Sequence, residues 1–366
     1  MRDVNSEVAG WLRDLAFVQK STQSRWGYKR AASAVMYLPV PIDTLINPDG
    51  TLQKIPSIGP ASSRVILEVL RDGTSPTVDK AIEAAEKKTR DDILRRRGLR
   101  SNFLSRAAAD AAMKSRKPNA PTRADILCDL QMHSDWSDGG SPIQEMVLTA
   151  VELGQQWTAL TDHSPRLTVA NGLSVERLKR QLAIVDGIND SLGDRFRLLK
   201  GIEVDILDEG ELDQTDEMLD QLDIVTASVH SKLRMNSAPM TRRMVTAVLN
   251  PRVNVLGHCT GQMVMGSRGK RPPSDFDAKA VFEACLEGNT AVEINSRPER
   301  QDPPDELIDL AADIGCTFTI DSDAHAPGQL AFKALGCERA ERLGIAPDRI
   351  VTTWPVEKVL EWAAPR

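Results

Sequence analysis

From Ala124 onward, short β-branched and apolar runs alternate with stretches whose apolar positions recur at helical spacing. The runs predict strands at Ile126–Gln131, Trp157–Thr161, Arg197–Val204, Ile224–Val229, Val253–Gly257, Ala291–Asn295 and Thr317–Ser322. Helical patterns begin near Pro142, Ser174, Leu212, Met240, Ala278 and Pro304, several of them opened by Ser, Asp or Pro. Seven βα units over about 240 residues fit a closed or nearly closed parallel barrel better than an open sheet. No G-x-G-x-x-G occurs, so a dinucleotide-binding sheet has no support.

Before that point the pattern is helical throughout. Residues 1–80 read as short helices broken by turn clusters at Leu38–Asp43 and Asn47–Gly50. Residues 81–117 are rich in Ala, Lys and Arg with apolar spacing at Ile82, Ala85, Ile93, Leu94 and Leu99, and Lys117–Thr122 reads as a linker. The expected division is a helical domain over 1–80, a basic helical linker over 81–123 and an α/β barrel over 124–366.

Composition narrows the class. A 27% charged, 41% hydrophobic chain is neither disordered nor fibrous, and no run of 18 apolar residues offers a membrane span. Charges at Arg2, Asp3, Glu7, Arg13 and Asp14 interrupt any signal-peptide core, so the expectation is a cytoplasmic protein without membrane contact. Five scattered cysteines without a C-x-x-C predict reduced, mostly buried thiols. The net charge of −6 hides a division: residues 1–123 hold 22 Lys and Arg against 13 Asp and Glu, a balance of +9, and the remainder carries −15. A basic first part fits a polyanion, and an acidic second part fits cations.

The chain has five histidines, His133, His163, His230, His258 and His325, and each lies just after a predicted strand. Asp138, Asp162, Glu203 and Asp323 accompany them. Barrel strands converge at their C-terminal ends, so these residues are expected to meet there. Imidazole with carboxylate suits Zn, Mn or Fe, whereas Mg alone would use oxygen ligands.

Seven ordered strings carry a resemblance over about residues 125–336. They are Asp129-Leu-Gln-Met-His133-Ser-Asp-Trp-Ser-Asp138-Gly, Thr161-Asp-His163, Gly201-Ile-Glu203-Val-Asp, Ala227-Ser-Val-His230-Ser, Gly257-His258, Glu293-Ile-Asn295 and Asp321-Ser-Asp-Ala-His325. Together they resemble the polymerase and histidinol phosphatase (PHP) superfamily, and their wording is most similar to the PHP domain of bacterial family X DNA polymerases. The resemblance implies a distorted (β/α)7 barrel holding two or three divalent ions that activate water for phosphoester hydrolysis. Carried over by position, it implies His133, Asp138, His163, Glu203, His230, His258, Asp323 and His325 as ligands, with Glu203 the bridge. Gln131 stands where the first histidine of an H-x-H is usual, and a neutral amide oxygen is a weaker ligand than imidazole. Asp162 is expected to act beside His163, as an acid or as an acceptor of its N–H. Arg297 and Arg300, with Lys232 and the loop Arg268-Gly-Lys270-Arg271, are expected to neutralise substrate phosphate.

The segment Leu52–Leu67 resembles a helix-hairpin-helix, in which a turn ending at Gly59 bares backbone N–H groups to phosphate. Upstream, Gly27-Tyr-Lys-Arg-Ala-Ala-Ser-Ala-Val is similar to the small N-terminal domain of family X polymerases. Lys29, Arg30, Lys54, Ile58, Gly59 and Arg64 are the expected contacts to DNA backbone. The polymerase palm is not expected, since the D-x-D pairs are Asp275-Phe-Asp277, a helix start, and Asp321-Ser-Asp323, part of the metal strings. These readings predict a DNA-directed metallophosphoesterase: a 3′-end exonuclease, a 3′-phosphatase or an abasic-site enzyme of DNA repair. The alternatives are a phosphatase for small monoesters and a DNA-binding scaffold with a disabled centre.

Overall fold

A computed structural model of the chain describes residues 3–100, 105, 107–108, 128–264 and 271–364. They fall into two compact units, Met1–Arg116 with Ala326–Gln329 and Lys117–His325 with Leu330–Arg366.

The first unit is helical: α1 (Val4–Val18), α2 (Thr22–Tyr37), α3 (Pro60–Asp72), α4 (Pro76–Glu83) and α5 (Lys87–Arg100). Side-chain caps open several of these helices. Asp3 accepts from the Ser6 N–H and Ser75 from the Val78 N–H, while Pro60 and Pro76 occupy first-turn positions that have no N–H to satisfy. Val8, Leu12 and Leu15 of α1 bury against Ala31 and Val35 of α2 and Val65, Ile66 and Val69 of α3. Part of the segment expected as linker is the helix α5, with Ile93 buried and Arg97 Nε 2.6 Å from Asp14. Residues 109–127, including the expected linker Lys117–Thr122, lie outside the described residues.

The hairpin turn makes its conformational demand away from its glycine. Gly59 caps α3 with φ −96° and ψ 176°, extended backbone open to any residue, and a Cβ there would meet nothing within 4 Å. The left-handed position is Ser57, at φ 66°. The conformational demand of the turn thus falls two residues earlier than the glycine.

The second unit is a parallel sheet in the order β1 (Trp157–Leu160), β2 (Arg197–Asp205), β3 (Ile224–Ser228), β4 (Val255–Leu256), β5 (Ala291–Asn295) and β6 (Phe318–Asp321). Except in β2, every strand residue is buried, as parallel strands covered on both faces require. The covering helices are α6 (Ile143–Glu152), α7 (Val175–Leu192), α8 (Asp216–Leu219), α9 (Ser237–Val248), α10 (Ala278–Glu287), α11 (Asp305–Ile314), α12 (Lys333–Arg342) and α13 (Val356–Ala363). The helix expected from Leu212 shrinks to the single turn α8. Residues 206–212 fold back on themselves through an Ile206–Leu212 bridge before the chain can turn helical.

Six strands, not seven, form among the described residues. Ile126 and Leu127 of the first expected strand lie outside them, and residues 128–133 make a seam instead of a strand. On one side Ala159 N–H donates to the Asp129 carbonyl and Thr161 N–H to that of Met132. On the other, side chains stand in for the ladder: Leu130 N–H donates to Asp321 Oδ1 (2.7 Å), and Ser322 donates its N–H and hydroxyl to the Asp129 carboxylate. His133 N–H then reaches the Ala324 carbonyl. The seam joins β6 back to β1. All five cysteines are buried, and none forms a disulfide.

Ser57→Gly should raise the stability of the full chain by about 0.5–1 kcal/mol by relieving a left-handed side chain, whereas Gly59→Ala should leave the turn backbone unstrained. Thermal unfolding of both variants checks this, and a destabilised Ser57→Gly would show that the Ser57 side chain has a role of its own.

Candidate metal centre

The sheet brings one side chain after another to its C-terminal edge. His163 lies three residues past β1, Glu203 within β2, His230 two past β3, His258 two past β4, and Asp323 two past β6. The seam delivers His133, and the chain beyond β6 delivers His325. Two loops fold tightly to allow this. A Cβ on Gly139 would lie 2.5 Å from the Ser134 carbonyl, and one on Gly172 would lie 1.8 Å from that of Ser164, so both returns depend on glycine.

Glu203 is the hub. Its Oε2 lies 3.1 Å from His163 Nδ1 and 3.5 Å from His133 Nε2, and its Oε1 lies 2.9 Å from His258 Nε2 and 3.3 Å from His230 Nε2. Asp138 Oδ1 bridges His325 Nε2 (3.3 Å) and His163 Nε2 (3.6 Å), and Asp323 Oδ1 lies 3.5 Å from both His133 and His325. Two sets could each hold an ion: His133, Asp138, His163 and His325, and His163, Glu203 and His230.

Despite these distances, both Glu203 oxygens and both ring nitrogens of His133 and of His230 lack any hydrogen-bond partner. Buried polar atoms left in this state are costly, by about 1–3 kcal/mol each. Carboxylate and imidazole atoms that converge with no hydrogen bond between them are the arrangement a divalent cation fits, and the mixed nitrogen and oxygen ligand atoms suit a transition ion. Gln131 belongs with this group, since its amide is fully buried and neither amide atom has a partner.

The cluster shares its charge through protons. Burial opposes the imidazolium of His133, but Asp323, Glu203 and Asp138 hold its pKa up at about 9; at His230 burial is likewise outweighed by Glu203 and Asp205, again to about 9. Burial dominates at His163, which falls to about 3. Burial would raise Glu203, yet His163 and His230 keep it well below the usual carboxylate range.

Asp162 is not where the sequence placed it. In extended backbone neighbouring side chains face opposite ways, so with His163 turned to the cluster Asp162 points outward to α7. There it accepts from the Ser134 N–H and hydroxyl, from Gln181 Nε2 (2.6 Å) and from the Ser137 hydroxyl. It braces the His133 loop and offers nothing to the His163 ring.

Arg297 and Arg300 do reach the cluster. Arg300 Nε lies 3.0 Å from Asp323 Oδ2, and Arg297 Nη1 lies 3.7 Å from Asp323 Oδ1 and 3.2 Å from His325 Nδ1. Lys232 is exposed and paired with Asp208, and Arg271 donates to the Gly261 carbonyl, so neither is aimed at the cluster. Arg268 and Lys270 lie outside the described residues. In the first unit, Arg30, Lys54, Gly59 and Arg64 are exposed, Ile58 is half-buried, and Lys29 lies 5.4 Å over the Trp26 ring.

Two supporting residues escaped the sequence reading. Asp205 Oδ1 accepts from the His230 N–H (3.1 Å) and lies 3.6 Å from its Nδ1, and Asn295 Nδ2 donates to Asp323 Oδ2 (3.1 Å). Both stand inside the quoted strings, two residues from a recognised motif position or on the same strand face as one, which is the only signal that could have found them.

Residues 129–297 match the PHP domain and residues 3–75 match a helix-hairpin-helix domain. The DNA polymerase/3′-5′ exonuclease PolX of Bacillus subtilis (strain 168) is 41% identical over 200 residues, which are 55% of this chain and 34% of that one. The chain therefore spans about a third of that relative's length. A probable phosphatase of Aliivibrio fischeri (strain ATCC 700601 / ES114) is 27% identical over 230 residues, covering 58% of this chain and 83% of that one. Probable phosphatase YcdX of Escherichia coli (strain K12 / DH10B) is 25% identical over 238 residues, covering 62% and 90%.

The raised histidines make a sign prediction. A group whose folded pKa exceeds its unfolded value stabilises the fold fully below the unfolded pKa, and that contribution is lost as pH climbs through the folded one. His133 and His230 should therefore make the metal-free protein progressively less stable from about pH 6.5 to about 9. Denaturant titrations across that window, repeated with added Zn or Mn, check it. The metal should restore stability most at the alkaline end, where no proton has to be displaced.

Proposed function

With a helix-hairpin-helix domain over residues 3–75 and a PHP domain over residues 129–297, we propose that the chain is a metal-dependent phosphoesterase acting on DNA. The carrying observation is Glu203, buried beneath four imidazoles with both oxygens free of hydrogen bonds. The ligands in this reading are His133, Asp138, His163, Glu203, His230, His258, Asp323 and His325, with Gln131 a weak neutral one. When bound, divalent ions supply Lewis acidity, which lowers the pKa of water and draws charge from phosphoryl oxygens. The protein's own groups do the rest. Glu203 and Asp323 provide fixed anionic ligands, with Asn295 and Arg300 holding Asp323 in place. Arg297 and Arg300 set guanidinium charge beside the cluster, where it would offset the negative charge of a phosphate.

Two observations favour DNA over a small monoester: the +9 balance of residues 1–123 and the 41% identity to a polymerase/exonuclease. In the first unit Lys29, Arg30, Lys54, Ile58, Gly59 and Arg64 are the proposed backbone contacts. Work at 3′ ends or damaged sites during repair is the role this reading assigns.

The test is hydrolysis of 5′-labelled single-stranded, nicked and 3′-phosphorylated DNA beside a panel of small phosphates, with Zn, Mn or Fe supplied. Glu203→Gln and His230→Ala should abolish turnover and leave DNA binding nearly intact. Gln131→Ala should be milder, because an amide contributes less than a carboxylate to holding a cation. Turnover of small phosphates with none of DNA would overturn the reading in favour of a small-molecule phosphatase.

DNA binding by the full chain should be insensitive to sequence and fall with salt, with log K against log salt sloping roughly −3 to −5 if a few phosphates are neutralised. Fluorescence anisotropy measures the slope, and a slope near zero would remove the phosphate contacts proposed above.

A further inference from the structure

Cations flank the cluster in two sets. The inner set, buried Arg297 and half-buried Arg300, gathers about Asp323, next to His133 on the Oε2 side of Glu203. The outer set, Arg166 and Lys232, is exposed and stands beyond His230, on the Oε1 side. Lys232 is committed to Asp208. Arg166 is not committed in that way: 47% of its side chain is exposed, its Nε lies 3.5 Å from Asp205 Oδ2, and its guanidinium makes no hydrogen bond among the described residues.

The position of Arg166 is nevertheless built. Its backbone N–H donates to Asp213 Oδ2 (2.9 Å). Asp213 Oδ1 accepts from the Ser164 hydroxyl (2.5 Å) and the Asp205 N–H (2.8 Å), and Ser164 Oγ accepts from that same N–H (3.0 Å). Asp205 in turn accepts from the His230 N–H. Three contacts, Arg166 to Asp205, Asp205 to His230 and His230 to Glu203, connect the guanidinium to the hub. The head group is therefore anchored at the rim on one side while its remaining donors face solvent.

A planar fork of donors held outside a metal cluster is suited to a phosphate. It is not needed for the phosphate being cleaved, which the cluster and the two inner arginines already serve. A phosphomonoester would leave it idle. A polynucleotide carries a further phosphate on the neighbouring nucleotide, and that group requires a cation outside the cluster. Resting on the DNA reading above, we propose that Arg166 binds the phosphate adjacent to the scissile one and so makes the site prefer a phosphodiester strand to a small phosphomonoester.

The full chain, loaded with Mn, tests this on a labelled oligothymidylate and on p-nitrophenyl phosphate, the one-phosphate reference. Arg166→Ala should raise KM for the oligonucleotide roughly fivefold, as the loss of one partly exposed charge-assisted contact implies, with a smaller change in kcat. The oligonucleotide-to-reference ratio of kcat/KM should fall accordingly, and the salt slope of binding should lessen by about 1. Arg166→Lys should recover part of the loss. Arg166→Gln keeps a donor for Asp205 without the charge and should behave like Arg166→Ala.

Equal losses on both substrates would overturn the proposal and make Arg166 a prop for Asp205 and His230 alone. No change on either would overturn it as well. A wild-type chain that cleaves p-nitrophenyl phosphate but no polynucleotide would refute the DNA reading itself, and the assignment of Arg166 with it.

Discussion

Glu203 carries its charge where water does not reach, with four imidazoles within 3.5 Å and no hydrogen bond to either oxygen. An unpaired buried carboxylate costs several kcal/mol, so positive charge must come to it in one form or another. In the bare protein the carboxylates around His133 and His230 raise both rings to a pKa of about 9 and so favour protons there, and divalent ions would supply the charge otherwise. The two forms compete for the same lone pairs. The rest of the second unit can be understood as the means of holding five rings and three carboxylates about that one point.

Very little of that holding is done by the strands, which stop short of most of the ligands. Loops carry them, and buried polar side chains fix the loops. Asp162 gathers four donors to brace the His133 loop. Arg243, fully buried on α9, donates to the carbonyls of Ile206, Leu207 and Ser231 and so ties the loop after β2 to the loop carrying His230. Asp302 accepts from Thr260 and Gln262, joining the loops after β4 and β5. Each tie replaces water with a donor or acceptor of fixed position, which a site needing sub-ångström placement requires.

Much of this was legible in residue order. Strand spacing placed β1 to β6 within a residue or two, and a histidine after each of five predicted strands announced convergence at one edge. What misled was direction. Asp162 adjoins His163 in sequence, but alternation along extended backbone sends the two to opposite faces. The seam was hidden for a related reason, since its apolar run looks like any other strand. Only the carboxylates of Asp129 and Asp321, reached across most of the chain, show that side chains have replaced the ladder. At the hairpin, glycine is the usual mark of a left-handed turn, and the eye goes to Gly59 and not to Ser57. Backbone dihedrals obey local crowding, which composition does not report.

The seam also bears on the order in which the chain comes into being. Leu130 and Asp321 are 191 positions apart, and Asp129 and Ser322 are 193 apart. A ribosome making this chain releases Asp129 early and must translate most of the barrel before Ser322 exists to satisfy it. Contacts of such separation form late, because a long loop has to close first. Until then the nascent chain has His133, His163, Glu203, His230 and His258 but not yet Asp323 and His325, so the set of His133, Asp138, His163 and His325 is incomplete. A truncated product ending before β6 lacks Asp323 and His325 and leaves the Asp129 carboxylate without its Ser322 donors.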